Sequence, residues 1–464
     1  MTSTWRQNYP FLARIEGDLI YGLLLTICAI IATLLRKNAS LELRRNVDGV
    51  IGVIITVIIC KQVAFYSLSI VLAHLIAFKF LPYKSLVTFS FYGTFIYLGF
   101  LRVAHNFGLP KLEFIGNAIQ LLMTLRVIGL SYEIYDSEEA KHQMTEKKDS
   151  NRRFIIVPST WEAFNYCYSF IGLFTGPYYT YQTYYDAMHS EHLQRISVRS
   201  LILVKIKTLS WSLPALIGFY ALGPVEILRT DAIKEYSILT CFVLSALAFC
   251  YLRTRIYTAW MIAESICVLS GIGVYPKSCN SIPGAGPRNI EGLKETNNLD
   301  VTYDDETINN LDICHIESSD GFRSGMRAWN RSVQFWLANF VYKRSFKSIR
   351  MPYTMFVSAF WHGIHPGYFL SFLTIPLCTT AEDLVFSAIP RNQKGEHPKW
   401  FSMTWRFIRM RGFEMMACGF LLLTWEDTVR LWNCLHWWLH FVMITVAGIS
   451  FLIVSNQKGS KKKD

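Results

Sequence analysis

Long runs of apolar residues dominate the pattern of the chain. The first, LIYGLLLTICAIIATLL at 19–35, ends at Arg36 and Lys37. A helix needs about 20 apolar residues to cross a bilayer. Similar runs lie near 47–60, 62–81, 85–104, 112–135, 161–180, 201–223, 236–252, 256–275, 353–388, 412–432 and 434–455. The pattern predicts an all-α, polytopic transmembrane bundle of roughly nine to twelve spans, with an internal cavity.

One stretch interrupts the apolar pattern. From Pro276 to about Gly325 the chain is polar, and it contains the acidic segment YDDETINNLD at 303–312. Its composition predicts a connecting loop that is partly disordered. The predicted organisation is an N-terminal transmembrane bundle at 1–275, this polar connecting loop at 276–325, a C-terminal transmembrane region at 326–455 and a basic tail at 456–464.

Composition supports a membrane protein. The chain is 52% hydrophobic and 17% charged, whereas soluble domains carry about 25% charged residues. The net charge of +12 falls largely between apolar blocks, which indicates cytoplasmic loops rather than a nucleic-acid partner. Binding of anionic lipid or a phosphate-bearing cofactor is the alternative. The eleven cysteines form no C-x-x-C, so neither a disulfide framework nor a metal site is predicted.

The tail, KGSKKKD, places Lys462 and Lys461 third and fourth from the end of the given sequence. This spacing resembles a dilysine retrieval signal of the endoplasmic reticulum, provided that the tail is cytosolic. An ordinary solvated tail explains the lysines equally well.

Segment 325–343, GMRAWNRSVQFWLANFVYK, has helical periodicity. On one helix, an apolar stripe contains Met326, Val333, Leu337 and Val341. Asn330 falls inside that stripe. It is either a glycosylation acceptor, a hydrogen-bonding link between helices, or a functional amide.

Segment 358–372, SAFWHGIHPGYFLSF, places His362 and His365 in an apolar run. Ionisable residues inside a membrane usually line a cavity or pair with each other. Pro366-Gly367 follows and predicts that the helix kinks or breaks. A histidine beside such a break is a candidate general base, although a structural histidine is the alternative.

Two segments carry a family resemblance. W-N-x-[ST]-V-Q-x-W-L at 329–337, together with S-A-F-W-H-G-x-H-P-G-Y at 358–368, resembles the signature of membrane-bound O-acyltransferases. Segments 168–188 and 253–264 are also similar to that family. The sequences at 365–378 and 303–312 resemble its lysophosphatidylinositol acyltransferase branch.

The resemblance implies which residues act. It identifies His362 as the essential histidine and Asn330 as its partner. A neutral imidazole would deprotonate the hydroxyl of a lysophospholipid, and an amide N–H would stabilise the oxyanion or orient the acceptor. Residues expected to contact substrate are Trp329, Trp361, His365, Tyr368, Arg327, Arg331 and Lys343.

The branch implies the substrates. It predicts transfer of a polyunsaturated acyl group, such as arachidonoyl, from acyl-CoA to the sn-2 hydroxyl of lysophosphatidylinositol. The expected setting is the endoplasmic reticulum membrane, with no metal and no permanently bound cofactor. The same chemistry on another lysophospholipid is one alternative. A transporter or receptor is another, although two similar halves with matched broken helices are not found.

Competing acyl-transfer motifs are weak. HIESSD at 315–320 fits an H-x4-D pattern, but His315 lies in the polar loop without an apolar acyl site beside it. No G-x-S-x-G occurs, so a serine-hydrolase elbow is not supported. An Asp-His-His-Cys segment, typical of protein S-acylation, is also missing from the sequence.

Overall fold

The computed structural model describes residues 10–144, 153–297 and 301–460, and this part of the chain is predominantly helical. The α-helices, numbered in chain order, are α1 (Pro10–Asn38), α2 (Leu41–Cys60), α3 (Ala64–Phe80), α4 (Tyr83–Thr88), α5 (Thr94–Val103), α6 (Phe114–Met144), α7 (Thr160–Tyr168), α8 (Tyr181–His189), α9 (His192–Arg195), α10 (Arg199–Leu222), α11 (Pro224–Leu228), α12 (Ile238–Ser270), α13 (Ile313–Ser318), α14 (Phe322–Arg327), α15 (Arg331–Phe340), α16 (Arg350–His362), α17 (Pro366–Ala388), α18 (Lys399–Leu422), α19 (Trp425–Cys434) and α20 (Trp438–Ser460). A π-helical turn, Phe89–Gly93, joins α4 to α5. The predicted all-helical class is confirmed.

Eight helical segments in the described ranges are long and apolar enough to cross a membrane. They are Ile15–Asn38, Leu41–Phe80, Tyr83–Phe107, Phe114–His142, Arg199–Leu228, Ile238–Ser270, Pro366–Ala388 and Trp438–Gln457. The polytopic membrane architecture predicted from the apolar runs is therefore confirmed. The count is below the predicted nine to twelve because two pairs of predicted runs each form a single segment, and the runs at 161–180 and 412–432 are not single apolar helices.

The apolar run at 161–180 is not one continuous helix. Helix α7 ends at Tyr168, and the buried guanidinium of Arg126 lies beside the segment that follows. Arg126 donates to the carbonyl oxygens of Cys167 at 3.1 Å and of Ser169 at 2.8 Å. These carbonyls accept hydrogen bonds from a side chain on α6. The chain therefore leaves the helix here without leaving these carbonyl groups unpaired.

Five other predicted runs also differ. The runs at 47–60 and 62–81 lie in one helical segment, Leu41–Phe80. The runs at 236–252 and 256–275 belong to the single helix α12, because polar residues between them remain helical. Arg253 at that junction forms an ion pair with Glu317. The run at 412–432 is divided between α18 and α19, with a left-handed backbone at Leu423 (φ 70°).

The described chain divides into two compact units. The first comprises Met1–Ser212, Tyr257–Asn310 and Asn330–Val341. Within it, α2 approaches α7 so closely that glycine is required on α2. The N–H of Gly49 donates to Asn165 Oδ1 at 3.0 Å. A Cβ on Gly52 would lie 1.8 Å from the carbonyl oxygen of Tyr168.

The polar segment after α12 folds onto the first unit. Strand β1 (Tyr275–Pro276) pairs antiparallel with β2 (Tyr303–Asp304), and Thr307 and Ile308 are fully buried. The prediction of a partly disordered connection is therefore wrong for the described residues up to Asn310, because they are folded into the first unit by the strand pair and by buried side chains. The predicted division of the sequence at 275 and 325 stays a prediction. The two compact units are defined only by which residues lie close together, so they do not test which region carries the function.

The second unit comprises Leu213–Ile256, Leu311–Trp329 and Tyr342–Asp464. Its core is apolar and includes the fully buried Leu431 and Trp432. Helices α17 and α18 meet backbone to backbone, since a Cβ on Gly367 would lie 2.2 Å from the carbonyl oxygen of Gly419. This close approach fixes the position of the first turn of α17, next to the segment that carries His362 and His365.

Candidate active site

His362 is the last residue of α16, and α17 begins four residues later at Pro366. The predicted helix break is thus confirmed. Proline suits the first turn of a helix because its missing N–H is not needed there. His365 stands just before Pro366 and is exposed. The two histidines therefore lie on opposite sides of the break, and only His362 belongs to a helix.

Aromatic rings surround the imidazole of His362. The Phe372 ring stacks on it at 5.3 Å between centroids, and the Phe420 ring meets it edge-on at 5.1 Å. The rings of Trp361 and Tyr368 lie at 4.7 and 5.8 Å. Three predicted site residues, Trp361, His362 and Tyr368, are thus brought together. The sequence analysis missed Phe372 and Phe420, since neither belongs to the recognised motif.

The contact between α17 and α18 holds this aromatic group in place. The N–H of Gly367 donates to the carbonyl of Leu423 at 2.8 Å. The hydroxyl of Ser371 lies 2.7 Å from the carbonyl of Met416 on α18. These bonds fasten α17, which carries Tyr368, to α18, which carries Phe420. The position of the rings around His362 is therefore set by backbone contacts.

An apolar groove of about 500 Å³ begins at the helix break in the second unit. Its lining includes Ile364 and Pro366 from the break and Trp432 from α19. Thr374 Oγ1 and His440 Nε2, 3.1 Å apart, form a polar pair within it. The groove provides an apolar surface next to the segment that carries His362.

Asn330 does not lie in the middle of a helix. The predicted single helix over 325–343 is wrong, because α14 ends at Arg327 and α15 begins at Arg331. Between them, Asn330 has a left-handed backbone with φ 49° and ψ 50°. Asparagine adopts this conformation more readily than most residues, which explains why the chain turns there although the apolar periodicity continues.

The side chain of Asn330 is not used to build the fold. Its Oδ1 is buried and has no hydrogen-bond partner within the described ranges. A link between helices requires a bonded amide, so this observation disfavours that interpretation of Asn330. A buried amide oxygen without a partner costs free energy, and an ordered water, an ion or a substrate group can complete its bonding.

The other predicted substrate contacts lie outside the group around His362 and belong to both units. Arg331 pairs with Glu306 in the first unit. In the second unit, Arg327 and Lys343 are exposed, and Trp329 is half-buried. Arg327 lines a polar pocket of about 440 Å³. The roles of these four residues stay predictions.

The H-x4-D pair lines the same polar pocket as Arg327. The carboxylate of Asp320 is held by Arg406 in an exposed ion pair. The N–H of His315 donates to Asp312 Oδ1 at 3.0 Å, as in a helix cap. No hydrogen bond joins His315 to Asp320 in the part of the chain that the structure describes. A His–Asp relay would need that bond.

Comparison with known proteins identifies the family. Residues 100–409 match the membrane-bound O-acyltransferase family, which covers the helix break at His362 and the turn at Asn330. The chain belongs to the membrane-bound O-acyltransferase family. Membership in this family makes the protein an O-acyltransferase, as the motifs predicted, and it sets aside the transporter or receptor alternative.

Curated relatives within the membrane-bound O-acyltransferases align over most of their length. The membrane-bound acylglycerophosphatidylinositol O-acyltransferase of Caenorhabditis briggsae is 41% identical over 86% of this chain and 88% of its own. The Xenopus laevis protein of that name is 35% identical over 88% of each chain. The Homo sapiens protein is 32% identical over 92% of each chain.

Proposed function

We propose that the protein transfers a fatty acyl group from acyl-CoA to the sn-2 hydroxyl of lysophosphatidylinositol. The similarity to relatives named acylglycerophosphatidylinositol O-acyltransferases, over nearly their full length, carries this proposal. Polyunsaturated acyl groups are the proposed donors. The reaction would rebuild phosphatidylinositol from its lyso form, in phospholipid remodelling.

His362 acts as the general base in the proposed mechanism. Its imidazole takes the proton of the acceptor hydroxyl while the oxygen attacks the thioester carbonyl carbon. The C–S bond then breaks, and the thiolate of CoA takes the proton back from the imidazolium. The thioester is already activated, so no acyl-enzyme is required. The aromatic rings around His362 support this role because they fix the orientation of the imidazole.

Asn330 stabilises charge or orients the acceptor in the same reaction. Its buried, unpartnered Oδ1 accepts the hydrogen bond of a substrate donor in this proposal, and its amide N–H groups donate to the oxyanion. A preorganised donor of this kind contributes about 10²–10³-fold to turnover in characterised enzymes. This assignment rests on the family motif together with the orphaned oxygen.

Cationic side chains select the head group in this proposal. Phosphoinositol carries one net negative charge, whereas phosphocholine is zwitterionic. Arg327, Arg331 and Lys343 are the candidates for charge-assisted hydrogen bonds to phosphate. The inositol hydroxyls require further polar partners, and a site built for them rejects analogues that lack them.

Competition between acceptors tests the proposal. The purified full-length protein receives equal amounts of lysophosphatidylinositol, lysophosphatidylcholine and lysophosphatidylserine with one acyl-CoA, and the products are measured by mass spectrometry. Phosphatidylinositol should dominate, and His362→Ala protein serves as the background control. Dominant phosphatidylcholine would overturn the head-group assignment while leaving acyl transfer intact. Repeating the assay with saturated and polyunsaturated acyl-CoA tests the donor preference.

The proposed location is the endoplasmic reticulum membrane. Lys461 and Lys462, the candidate retrieval signal, lie outside the described residues. An amino-terminally tagged protein carrying Lys461→Ser and Lys462→Ser should leave the endoplasmic reticulum, whereas Lys463→Ser should not. Recovery of the unsubstituted protein in another membrane fraction would contradict the location. An unchanged distribution of the double variant would contradict the signal.

The proposed reaction uses no metal ion. In the described ranges, no three histidine, cysteine, aspartate or glutamate residues are grouped so as to hold one. Turnover should be unchanged after incubation with a chelator and dialysis. Loss of activity that is restored by a divalent cation would overturn this part of the proposal.

A further inference from the structure

Helix α15, which follows Asn330, is not capped by its own N-terminal residue. The first N–H groups of a helix have no partner inside it, and asparagine is among the preferred residues to accept them at this position. Asn330 occupies the position, but its side chain accepts no capping bond. Some other group must bond the first N–H groups of α15.

Asn310 provides both missing acceptors. Its main-chain carbonyl accepts the N–H of Arg331 at 3.0 Å. Its side-chain Oδ1 accepts the N–H of Ser332 at 3.3 Å and the hydroxyl of Ser332 at 2.5 Å. Asn310 is 2% exposed, so water does not compete for these bonds. A residue 20 positions before Asn330 therefore caps the helix that Asn330 begins.

Buried charged residues hold Asn310 in turn. The N–H of Asn310 donates to Glu264 Oε1 at 2.9 Å, and Glu264 on α12 is fully buried. The other carboxylate oxygen of Glu264 pairs with Lys205 on α10, which also pairs with Asp305 at 2.8 Å. Lys205 is thus bonded to two carboxylates of the first unit, and the Glu264 carboxylate that accepts the N–H of Asn310 is held by this ion pair.

Ser332 is fixed from a second side. Its hydroxyl accepts the N–H of Tyr178 at 3.2 Å while it donates to Asn310. The residue two positions after Asn330 is thereby bonded to two separate segments of the first unit. The backbone at Asn330 has little freedom to leave its left-handed conformation.

We propose that Asn310 is a positioning residue for the reaction, because it caps α15 in place of Asn330 and frees the Asn330 amide for substrate. This inference rests on the proposed role of Asn330. A cap supplied by Asn330 itself would consume the Oδ1 that is now unpartnered. The bonds of Asn310 therefore separate the two tasks, and they fix the direction in which the Asn330 side chain leaves the backbone.

Substitution of Asn310 tests this role in the full-length enzyme. Asn310→Ala should lower kcat by about tenfold to hundredfold, as expected when a reacting group is displaced by about 1 Å. KM for the acyl donor should change little. Asn310→Asp keeps the accepting oxygen and should restore most of the turnover. Asn309→Ala is the matched control, since the Asn309 amide bonds Glu306 instead, and it should retain full activity.

A double-mutant cycle separates positioning from general stability. Glycine adopts the left-handed backbone freely, so Asn330→Gly removes the amide without disturbing the turn. Adding Asn310→Ala to Asn330→Gly should lower kcat no further, because the group that Asn310 positions is already missing. An equal loss in both backgrounds would identify Asn310 as merely structural and overturn the inference.

The remaining outcomes are also decisive. Normal turnover of Asn330→Gly would overturn the proposed role of Asn330, and the inference with it. Loss of turnover in Asn330→Gly combined with normal kinetics of Asn310→Ala would overturn the inference alone. If Asn310→Ala fails to fold, Asn310→Ser is measured in its place. A folded Asn310→Ser with unchanged kcat would contradict the proposal.

Discussion

The imidazole of His362 lies nearly parallel to the ring of Phe372, with 25° between their planes. His362 ends α16 and Phe372 lies in the second turn of α17, so the stack crosses the helix break. An imidazole held face to face in this way has few orientations available. The stack therefore restricts the plane of the His362 ring, which would favour the proposed role in acid–base catalysis.

His362→Ala should abolish nearly all acyl transfer. A positioned general base contributes typically about 10²–10⁴-fold. His365→Ala should cost less, because His365 is exposed on the other side of the break. Turnover is measured on purified protein whose folding is checked by thermal unfolding. If folded His362→Ala kept more than about a tenth of the activity, the base would be another group.

Phe372→Leu should lower kcat while KM changes little. Leucine keeps most of the apolar volume but loses the ring stacked on His362. Aromatic pairs are worth about 0.5–1.5 kcal/mol, which corresponds to about twofold to tenfold in rate. The control is Phe369→Leu, since Phe369 on the same helix contacts Phe356. Equal losses for both variants would contradict a specific role of Phe372.

His315→Ala combined with Asp320→Ala should leave acyl transfer within a few-fold of the wild type. The Asp320 carboxylate pairs with Arg406 at the surface, and exposed ion pairs contribute at most about 1 kcal/mol. The assay is turnover at saturating donor and acceptor. Loss of activity in a double variant with normal thermal unfolding would restore the H-x4-D motif as a catalytic candidate.

Gly52→Ala should destabilise the fold, because its Cβ would collide with a backbone oxygen of α7 that is not free to move. Gly218→Ala is the matched control, since Gly218 also lies in a helix and no heavy atom is within 4 Å of its Cβ position. Thermal unfolding in detergent should show a lowered midpoint for the first variant only. Similar midpoints would mean that α2 and α7 separate easily.

The sequence could predict features that depend on neighbouring residues in the chain, but not features that depend on residues distant in sequence. The break after His362 follows from Pro366, whose effect on a helix is independent of the rest of the fold. The turn at Asn330 could not be predicted from periodicity, because the apolar stripe continues on both sides. Its cause is the bonding to Asn310, which is distant in sequence.

Arg126 illustrates the same limit in the membrane-spanning part. The apolar residues of 161–180 predicted a span, but the guanidinium of Arg126 takes up the carbonyls that a longer helix would need. A charged side chain inside an apolar run is usually interpreted as functional. Here it replaces helical hydrogen bonds, and nothing in the local sequence indicates which carbonyls it contacts.

The helix end at His362 also has an electrostatic consequence. The peptide dipoles of a helix sum to about half a negative charge at its carboxyl end, and α16 ends at His362. A proton taken up by this imidazole therefore creates its positive charge at the negative pole of the helix. Such placement is worth about 0.3–1 kcal/mol, and up to ~2 kcal/mol when partly buried. In the proposed mechanism, this helix end would therefore lower the barrier for proton transfer to His362 by up to about thirtyfold in rate.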